Sequence, residues 1–444
     1  MKKGARRGPG RVMLGLTEVA GYYAGLQTAL RKLGVDATLV TAQDHPFKYG
    51  GEADNALLRV KRALVRRLEE LAAERAGTAR RLPAKLANRG VDLLLLAWAA
   101  TRFDTFVFGF GTTFTGRPQW ELPLLRALGK RVVCVFHGSD ARPPYLDGAV
   151  MATGGGRTIA DCVRASRTVR SLVAHVDAHA HAVVNNPLSG HFHQRPCVSW
   201  YALGLSSLPA DARKAAAAGE ERPAGAPVRV LHSPSHPEAK GTPLIRGAVE
   251  NLRARGLAIE LVELLGRPNA EVVAELERCD FVVDQAYSDT PMATFAAEAA
   301  RRGKPAVVGG YGADAFRQFI PPRSMPPSEY CRPEEMEAAI ERLATDAAYR
   351  LQLGARARAF VARRWSTERV ARRLLRVMEG RIPRAWLFDP AQIRYVHGGG
   401  LPEARARTLV REVVALGGPA ALQLDDKPAL RERLLAFARG AAPE

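Results

Sequence analysis

The stretch over residues 228–308 constrains this chain more than any other, because it spells strand, loop and helix twice in succession. Residues 228–232 form a short apolar run suited to a buried parallel strand, and the polar SPSHPEAKG segment leads from it into an amphipathic helix. Thr242 as a cap and Pro243 at the first helical position leave the first amides free to receive an anion, with Lys240 just before them as a mobile point charge. Residues 281–284 make the second strand, residues 287–290 a loop, and Pro291 opens a helix that carries Glu298. Ligands of open parallel sheets bind outside the carboxyl ends of the strands. Lys240, the loop from Ser233 to Ser235, the amides from Thr290 to Thr294 and Glu298 are therefore expected to converge. Lysine and amides suit a diphosphate, and a carboxylate suits ribose hydroxyls.

At these residues the chain resembles the donor half of the retaining family-4 glycosyltransferases. Lys240-Gly241 matches the KG that follows the family's first donor-domain strand, and EAARRGKPAVV over residues 298–308 matches its EAMAxGxPVV block. A second match is His137-Gly138-Ser139-Asp140-Ala141-Arg142, which resembles an HGSDxR stretch closing the acceptor side of the cleft. The resemblance implies the GT-B fold: an α/β chain of two Rossmann-like parallel-sheet domains facing a cleft. It implies a nucleotide-diphosphate sugar as donor, hexosyl transfer with retention, and a glycan, lipid-linked or natural-product hydroxyl as acceptor. Carried over residue by residue, it assigns His137, Lys240 and Glu298 to catalysis. Ser233, Ser235, Lys240, Gly241, Asp289, Thr290, Thr294 and Glu298 fall on the donor, and Thr17, Glu18, Gly21, His137, Asp140 and Arg142 on the sugar and acceptor side.

Two positions depart from the family's pattern. Many members carry an arginine in the loop before the lysine, where this chain has His232, Ser233, Ser235 and His236. Many also carry a glutamate eight residues before the ribose-binding one; here that position is Thr290, with Asp289 beside it to substitute in a shifted register. The departures support a rival reading, a catalytically inactive GT-B scaffold or partner subunit. A GT-B sugar-nucleotide epimerase or hydrolase is a third reading.

The first half repeats the alternation. Residues 11–16, 35–41, 106–110 and 131–136 read as strands with helices between them, which argues for a parallel doubly wound sheet. The glycines of TEVAGYYAG allow close backbone approach but do not fit GxGxxG, and Ser139 lacks the second glycine of a nucleophile elbow. The domain reading is 1–205 for an N-terminal acceptor domain, 206–227 for an alanine- and proline-rich linker and 228–378 for the donor domain. Residues 379–444 form a helical extension, with amphipathic helices over 402–416 and 428–438.

A net charge of +20 favours phosphates, nucleic acid or an anionic membrane as partners, and its distribution discriminates among them. Between Arg59 and Arg89 ten basic residues stand against three acidic ones, interleaved with Leu57, Leu58, Leu64, Leu68 and Leu71. This reads as a basic amphipathic helix over residues 57–89 suited to acidic head groups; a solvated charged helix is the equal alternative. The segment lacks interleaved aromatics, so no nucleic-acid partner is expected. The longest apolar run, residues 91–100, is about half of the ~18 residues that a membrane span needs. No signal peptide is read, and the expected location is cytoplasmic, with a peripheral position on the inner face of the membrane. Five scattered cysteines form no CxxC pair and are expected as reduced thiols. His175, His179, His181, His191 and His193 show no acidic or cysteine partner in the linear pattern and read as surface and loop residues. With no Asp-x-Asp motif either, neither metal nor other cofactor is expected.

Overall fold

The computed structural model describes residues 8–19, 21–42, 55–74, 77–152, 156–205 and 225–441. The apolar runs of the first half become buried strands because their neighbours cover both faces. In chain order they are β1 (Val12–Leu16), α1 (Tyr22–Lys32), β2 (Ala37–Thr41), α2 (Ala56–Ala73), α3 (Thr78–Arg102), β3 (Thr105–Gly109), α4 (Pro118–Ala127) and β4 (Arg131–Val135). There follow α5 (Ile159–His179), β5 (Ala182–Asn185), β6 (Cys197–Ser199) and α6 (Trp200–Leu203). The strands lie parallel in the order β6-β5-β4-β3-β1-β2.

The linker segment 206–224 lies outside the described residues. The second half then gives β7 (Val228–His232), α7 (Pro237–Lys240), α8 (Thr242–Ala254), β8 (Ile259–Glu263), α9 (Asn269–Arg278), β9 (Phe281–Gln285) and α10 (Thr294–Arg301). It continues with β10 (Ala306–Gly309), α11 (Ala313–Phe319), β11 (Glu329–Cys331), α12 (Met336–Thr345), α13 (Ala347–Arg364) and α14 (Thr367–Met378). This sheet is parallel throughout, in the order β11-β10-β9-β7-β8. Winding reverses between β1 and β3 in the first sheet and between β7 and β9 in the second, which creates a crevice at the carboxyl ends of each. Two Rossmann-like α/β domains thus stand as the GT-B expectation describes.

The chain returns to the first domain with α14, which packs against α1 and β4, and stays there after Met378. There β12 (Leu387–Phe388) pairs antiparallel with β6 as a seventh strand. The next helices, α15 (Glu403–Gly417) and α16 (Pro428–Ala438), bury Leu409, Val410, Val413, Leu430 and Leu434. Between β12 and α15 the run Gly398-Gly399-Gly400 passes between the two domains. The Gly399 amide donates to Leu146 O (3.0 Å), the Gly148 amide to Gly399 O (2.9 Å) and the Gly400 amide to Tyr287 O (2.6 Å). A β-carbon on Gly399 would stand 2.9 Å from Asp289 Cγ, so the strap passes only as glycine.

Three expectations are corrected. Pro291 does not open a helix; α10 begins at Thr294, because the Ala293 amide first hydrogen-bonds the buried Asp284 carboxylate. The basic region is two helices, α2 and α3, instead of one. Leu58 and Leu71 are buried, because Lys61 Nζ reaches inward to Asp92 (2.5 Å) and Asn88 (2.9 Å) and fixes the rotation of α2. His191 and His193 are fully buried instead of lying on the surface. His193 Nδ1 meets Asp177 (2.8 Å) and its Nε2 meets Asn185 (3.0 Å), while His191 Nε2 meets Tyr395 O (2.8 Å) and its Nδ1 has no partner among the described residues.

A β-carbon on Gly148 would meet Gly400 O at 1.7 Å, with backbone on both sides. Gly148→Ala is expected to lower stability by about 1–3 kcal/mol through forced displacement of the strap, as read by urea denaturation. An unchanged midpoint would show that the strap is not held there.

Candidate functional site

A cavity of about 290 Å³ lies at the carboxyl ends of β4, β7 and β9. His137 and Arg142 reach it from the loop after β4, and Ser235, His236 and Lys240 from the segment after β7. Gln285, Asp289 and Thr290 come from the end of β9 and its loop, Thr294 from the first turn of α10, and Gly399 and Gly400 from the strap.

Lys240 is the last residue of α7, and its Nζ donates to Gln285 Oε1 at 2.8 Å. Gly241 follows in the left-handed region (φ 73°), where a β-carbon would stand 2.5 Å from that of Ala286. That residue, and not Thr242, occupies the cap position of α8, and no side chain caps the helix. The Thr242 hydroxyl goes instead to His232 Nε2 (2.9 Å), whose Nδ1 donates to Val283 O (2.8 Å). Burial pushes His232 down to about 4, so the ring is neutral and ties β7, β9 and α8 together. Asp284 just below is pushed up by burial, against the pull of Lys240 and the Ala293 amide.

Glu298 does not line the cavity. It stands four residues beyond Thr294 on the same face of α10, about 6 Å further along the axis, and its side chain bonds Asn269 at the start of α9. Burial raises its carboxyl, opposed by Arg301 and Arg302. Ser233 is also outside, its hydroxyl donating to Leu264 O at 3.1 Å. Ser233 and Glu298 therefore stand outside the cavity that Lys240 lines.

On the other wall, His137 Nε2 bonds the Tyr23 hydroxyl (2.9 Å), and Nδ1 has no partner among the described residues. The rings of Tyr22 and Trp200 pack edge-on against it at 5.6 and 5.2 Å. Burial pushes its imidazolium down to about 3, so it meets a ligand as a neutral ring. Asp140 does not face the cavity: its carboxylate accepts the His137 and Gly138 amides, each at 2.8 Å, and shapes the loop. Burial pushes that carboxyl up to about 7, against the pull of those amides. Glu18 likewise accepts the amides of Val19 (2.7 Å) and Ala24 (2.8 Å) and caps α1, where Gly21 takes a φ of 77°. Thr17 bonds Thr112 at 3.3 Å. These three organise the wall without lining it.

Arg142 joins the two domains. Its Nη1 donates to Asp147 (2.7 Å), and its Nε donates to Asp289 (2.8 Å), which Nη2 also contacts. Ser189 Oγ donates to the same Asp289 oxygen at 3.0 Å, and Asn186 Nδ2 to Asp289 O at 2.9 Å. Burial alone would raise the Asp289 carboxyl, but the guanidinium overrides it and holds it below the usual carboxylate range. Both residues line the cavity, yet their charges answer each other.

Sequence reasoning gave no role in the site to Gln285, Asn269 or the strap. The GGG run carries a signal, since three consecutive glycines permit an approach that no other residue allows. Asp177 and Cys197 stand beside His193, with ligand atoms within 4.8 Å of one another, partners that the linear spacing hides. Both His193 nitrogens are already in hydrogen bonds, which marks a support for β5 and β6.

No protein-family model matches the chain, and no curated protein matches it. Among solved structures, sucrose-phosphate synthase from Thermosynechococcus elongatus is similar over 82% of this chain and 96% of its own, at 15% identity and TM-score 0.48. Anabaena HepE in complex with UDP-glucose is similar over 81% and 96%, at 14% and 0.44. The glycosyltransferase SnogD from Streptomyces nogalater is similar over 83% and 99%, at 13% and 0.39. At these values the likeness lies in the broad course of the chain, and the site rests on the geometry above.

His137 titrates far below its ordinary value of 6.5, so its contribution to stability is complete above that pH and is lost as pH falls toward about 3. Between pH 7 and 5 the wild type is expected to lose stability relative to His137→Gln by up to about 1.4 kcal/mol per pH unit below 6.5. Urea titrations of both proteins measure this, and parallel curves would mean that the ring is not buried neutral.

Proposed function

We propose that the chain transfers a hexose from a nucleotide-diphosphate sugar to a hydroxyl acceptor with retention, the acceptor being a glycan, a lipid-linked sugar or a natural product. Lys240 carries the reading: it is an ammonium whose hydrogen-bond partner in the cavity is a neutral amide, beside the uncapped start of α8. Such a place suits the negative charge that grows on a departing diphosphate. In the step, the bond from sugar C1 to the diphosphate oxygen breaks and a bond from C1 to the acceptor oxygen forms on the same face. The acceptor's proton passes to the departing oxygen, so no protein nucleophile is needed. Positive charge comes from Lys240 and helix amides, and the route calls for no metal. Neutral His137 offers a hydrogen bond to the sugar, and Glu298 with Asn269 takes the ribose.

A catalytically silent scaffold is the second reading, and Asp289 favours it. Its carboxylate, the substitute for the absent glutamate, is engaged by Arg142 and Ser189.

UDP, GDP, ADP and TDP sugars are the test. One nucleotide family is expected to raise the melting temperature and to be slowly hydrolysed, with Lys240→Ala weakening binding by about 10- to 100-fold, the worth of a charge-assisted hydrogen bond. Stabilisation without nucleotide release, even with membrane extract supplied, would establish the scaffold. No stabilisation by any of them would remove the donor site.

The acceptor side carries a membrane proposal. No helix among the described residues is long and apolar enough to cross a bilayer. Yet Leu82, Leu86, Leu93 and Leu94 on α3 are 50–55% exposed, with exposed Arg80, Lys85 and Arg89 among them. Leu82, Leu86, Arg89 and Leu93 fall on one helical face. This surface fits the inner, anionic face of a cytoplasmic membrane. Sedimentation with phosphatidylglycerol vesicles is expected to capture the protein, and phosphatidylcholine vesicles are not. Leu86→Ser with Leu93→Ser is expected to cut capture about tenfold or more, at roughly 1.5 kcal/mol for each inserted leucine. Equal capture by both lipids, or none by either, would end the proposal.

A further inference from the structure

A second enclosed crevice, of about 230 Å³, shares no lining residue with the Lys240 cavity. It lies where four parts of the chain meet: the Ser199–Ala202 corner after β6, the turn after α11, the α13–α14 pair and the start of the extension. Its charged lining is Arg323, Arg364 and Arg373, with no carboxylate among the lining residues. Arg364 Nη1 reaches Ser324 Oγ (3.4 Å), and Arg373 Nη1 donates to Leu203 O (3.1 Å) and Arg364 O (2.7 Å). Among the described residues none of the three pairs with an acid; Arg364 and Arg373 are half-buried and Arg323 is exposed. Burial, then the charges of Arg364 and Arg369, push the Arg373 guanidinium below its usual value, which is the mark of uncompensated positive charge. Tyr201 and Trp386 supply aromatic walls, and Ser199, buried at the end of β6, makes no capping bond with its hydroxyl.

Like charges gathered in a partly dehydrated crevice repel one another unless an anion joins them, and guanidinium forks match phosphate oxygens in pairs. We infer that this crevice binds a soluble phosphomonoester, with its phosphate on Arg323, Arg364 and Arg373 and its small carbon skeleton against Tyr201 and Trp386. The volume fits a phosphate on one compact ring and excludes a whole nucleotide sugar. The inference stands apart from the transferase reading, since the Lys240 cavity plays no part in it.

The intact chain is titrated calorimetrically at low salt with inorganic phosphate and with ribose 5-phosphate, in wild type, Lys240→Ala, Arg323→Gln and the Arg323→Gln/Arg364→Gln pair. Saturable binding is expected in wild type and, undiminished, in Lys240→Ala. It is expected to weaken about tenfold in Arg323→Gln, the loss of one charge-assisted contact, and to vanish in the pair. Hydrogen exchange on the unmodified chain gives a second readout that needs no variant, with ligand-dependent slowing expected over residues 319–324 and 384–387. Binding that survives in the pair, binding lost in Lys240→Ala, or protection confined to the Lys240 segment would overturn the inference. So would capture by phosphatidic acid vesicles with neither soluble probe bound.

Discussion

The cleft depends on one buried guanidinium. Arg142 comes from the first domain, Asp147 answers it from the same domain, and Asp289 answers it from the second. An ion taken out of water at this depth costs several kcal/mol, and it is tolerated only where partners and further hydrogen bonds meet every exposed lone pair and proton. Ser189 and Asn186 complete that requirement on the Asp289 side. Such a network adds little to stability compared with a well-packed apolar contact. What it supplies is a single allowed geometry, because any shear between the domains leaves a charge buried without its partner. The glycine strap lies directly on this network, with its Gly399 backbone against Asp289 Cγ and Arg142 Cζ, and so inherits the same tight placement.

The same bookkeeping gives the cavity a direction. Arg142 is neutralised within the protein, and His137 and His232 are held neutral by burial. Among the described residues that line the cavity, Lys240 is then the cation left to answer a ligand, at the end where an uncapped helix also starts. An anionic group is drawn to that end. An uncharged, hydroxyl-rich group is left for the His137 end, where a ring nitrogen without a partner faces aromatic edges. Charge separation inside one small volume therefore orients a ligand before any specific contact forms.

Much of this was legible in the sequence wherever the signal was local. Residues 228–232 and 281–284 read as strands because apolar runs bounded by polar loops have few other uses, and both are strands in the fold. Helices over 402–416 and 428–438 were readable from their period alone. The failures share a cause. Thr242 has the chemistry of a cap, but its hydroxyl finds His232, ten residues earlier and unpredictable from propensity. The leucines of α2 have the period of a lipid-facing stripe, but Lys61 pairs with Asp92, thirty-one residues on, and turns them inward. The residues that line the cavity from afar were the least readable. Gly399 acts through Arg142 and Asp289, and nothing within its own neighbourhood records either.

The topology explains why the two halves of the cleft are not independent. The first sheet is completed by β12, at residues 387–388, so the second domain is inserted between two strands of the first. Two covalent crossings, one between α6 and β7 and one between α13 and α14, then hold the second domain, and the strap adds a non-covalent third at the mouth. A body held by a single crossing can swing about it. One held at two crossings can only rotate about the line that joins them, and a third attachment away from that line stops the rotation until it releases. Of the strap's three backbone hydrogen bonds, two hold it to Leu146 and Gly148 of the first domain and the one from Gly400 to Tyr287 O reaches the second, beside the cavity that Gly399 and Gly400 line. Glycine is needed there because only a backbone without side chains can lie this close to Arg142 and Asp289.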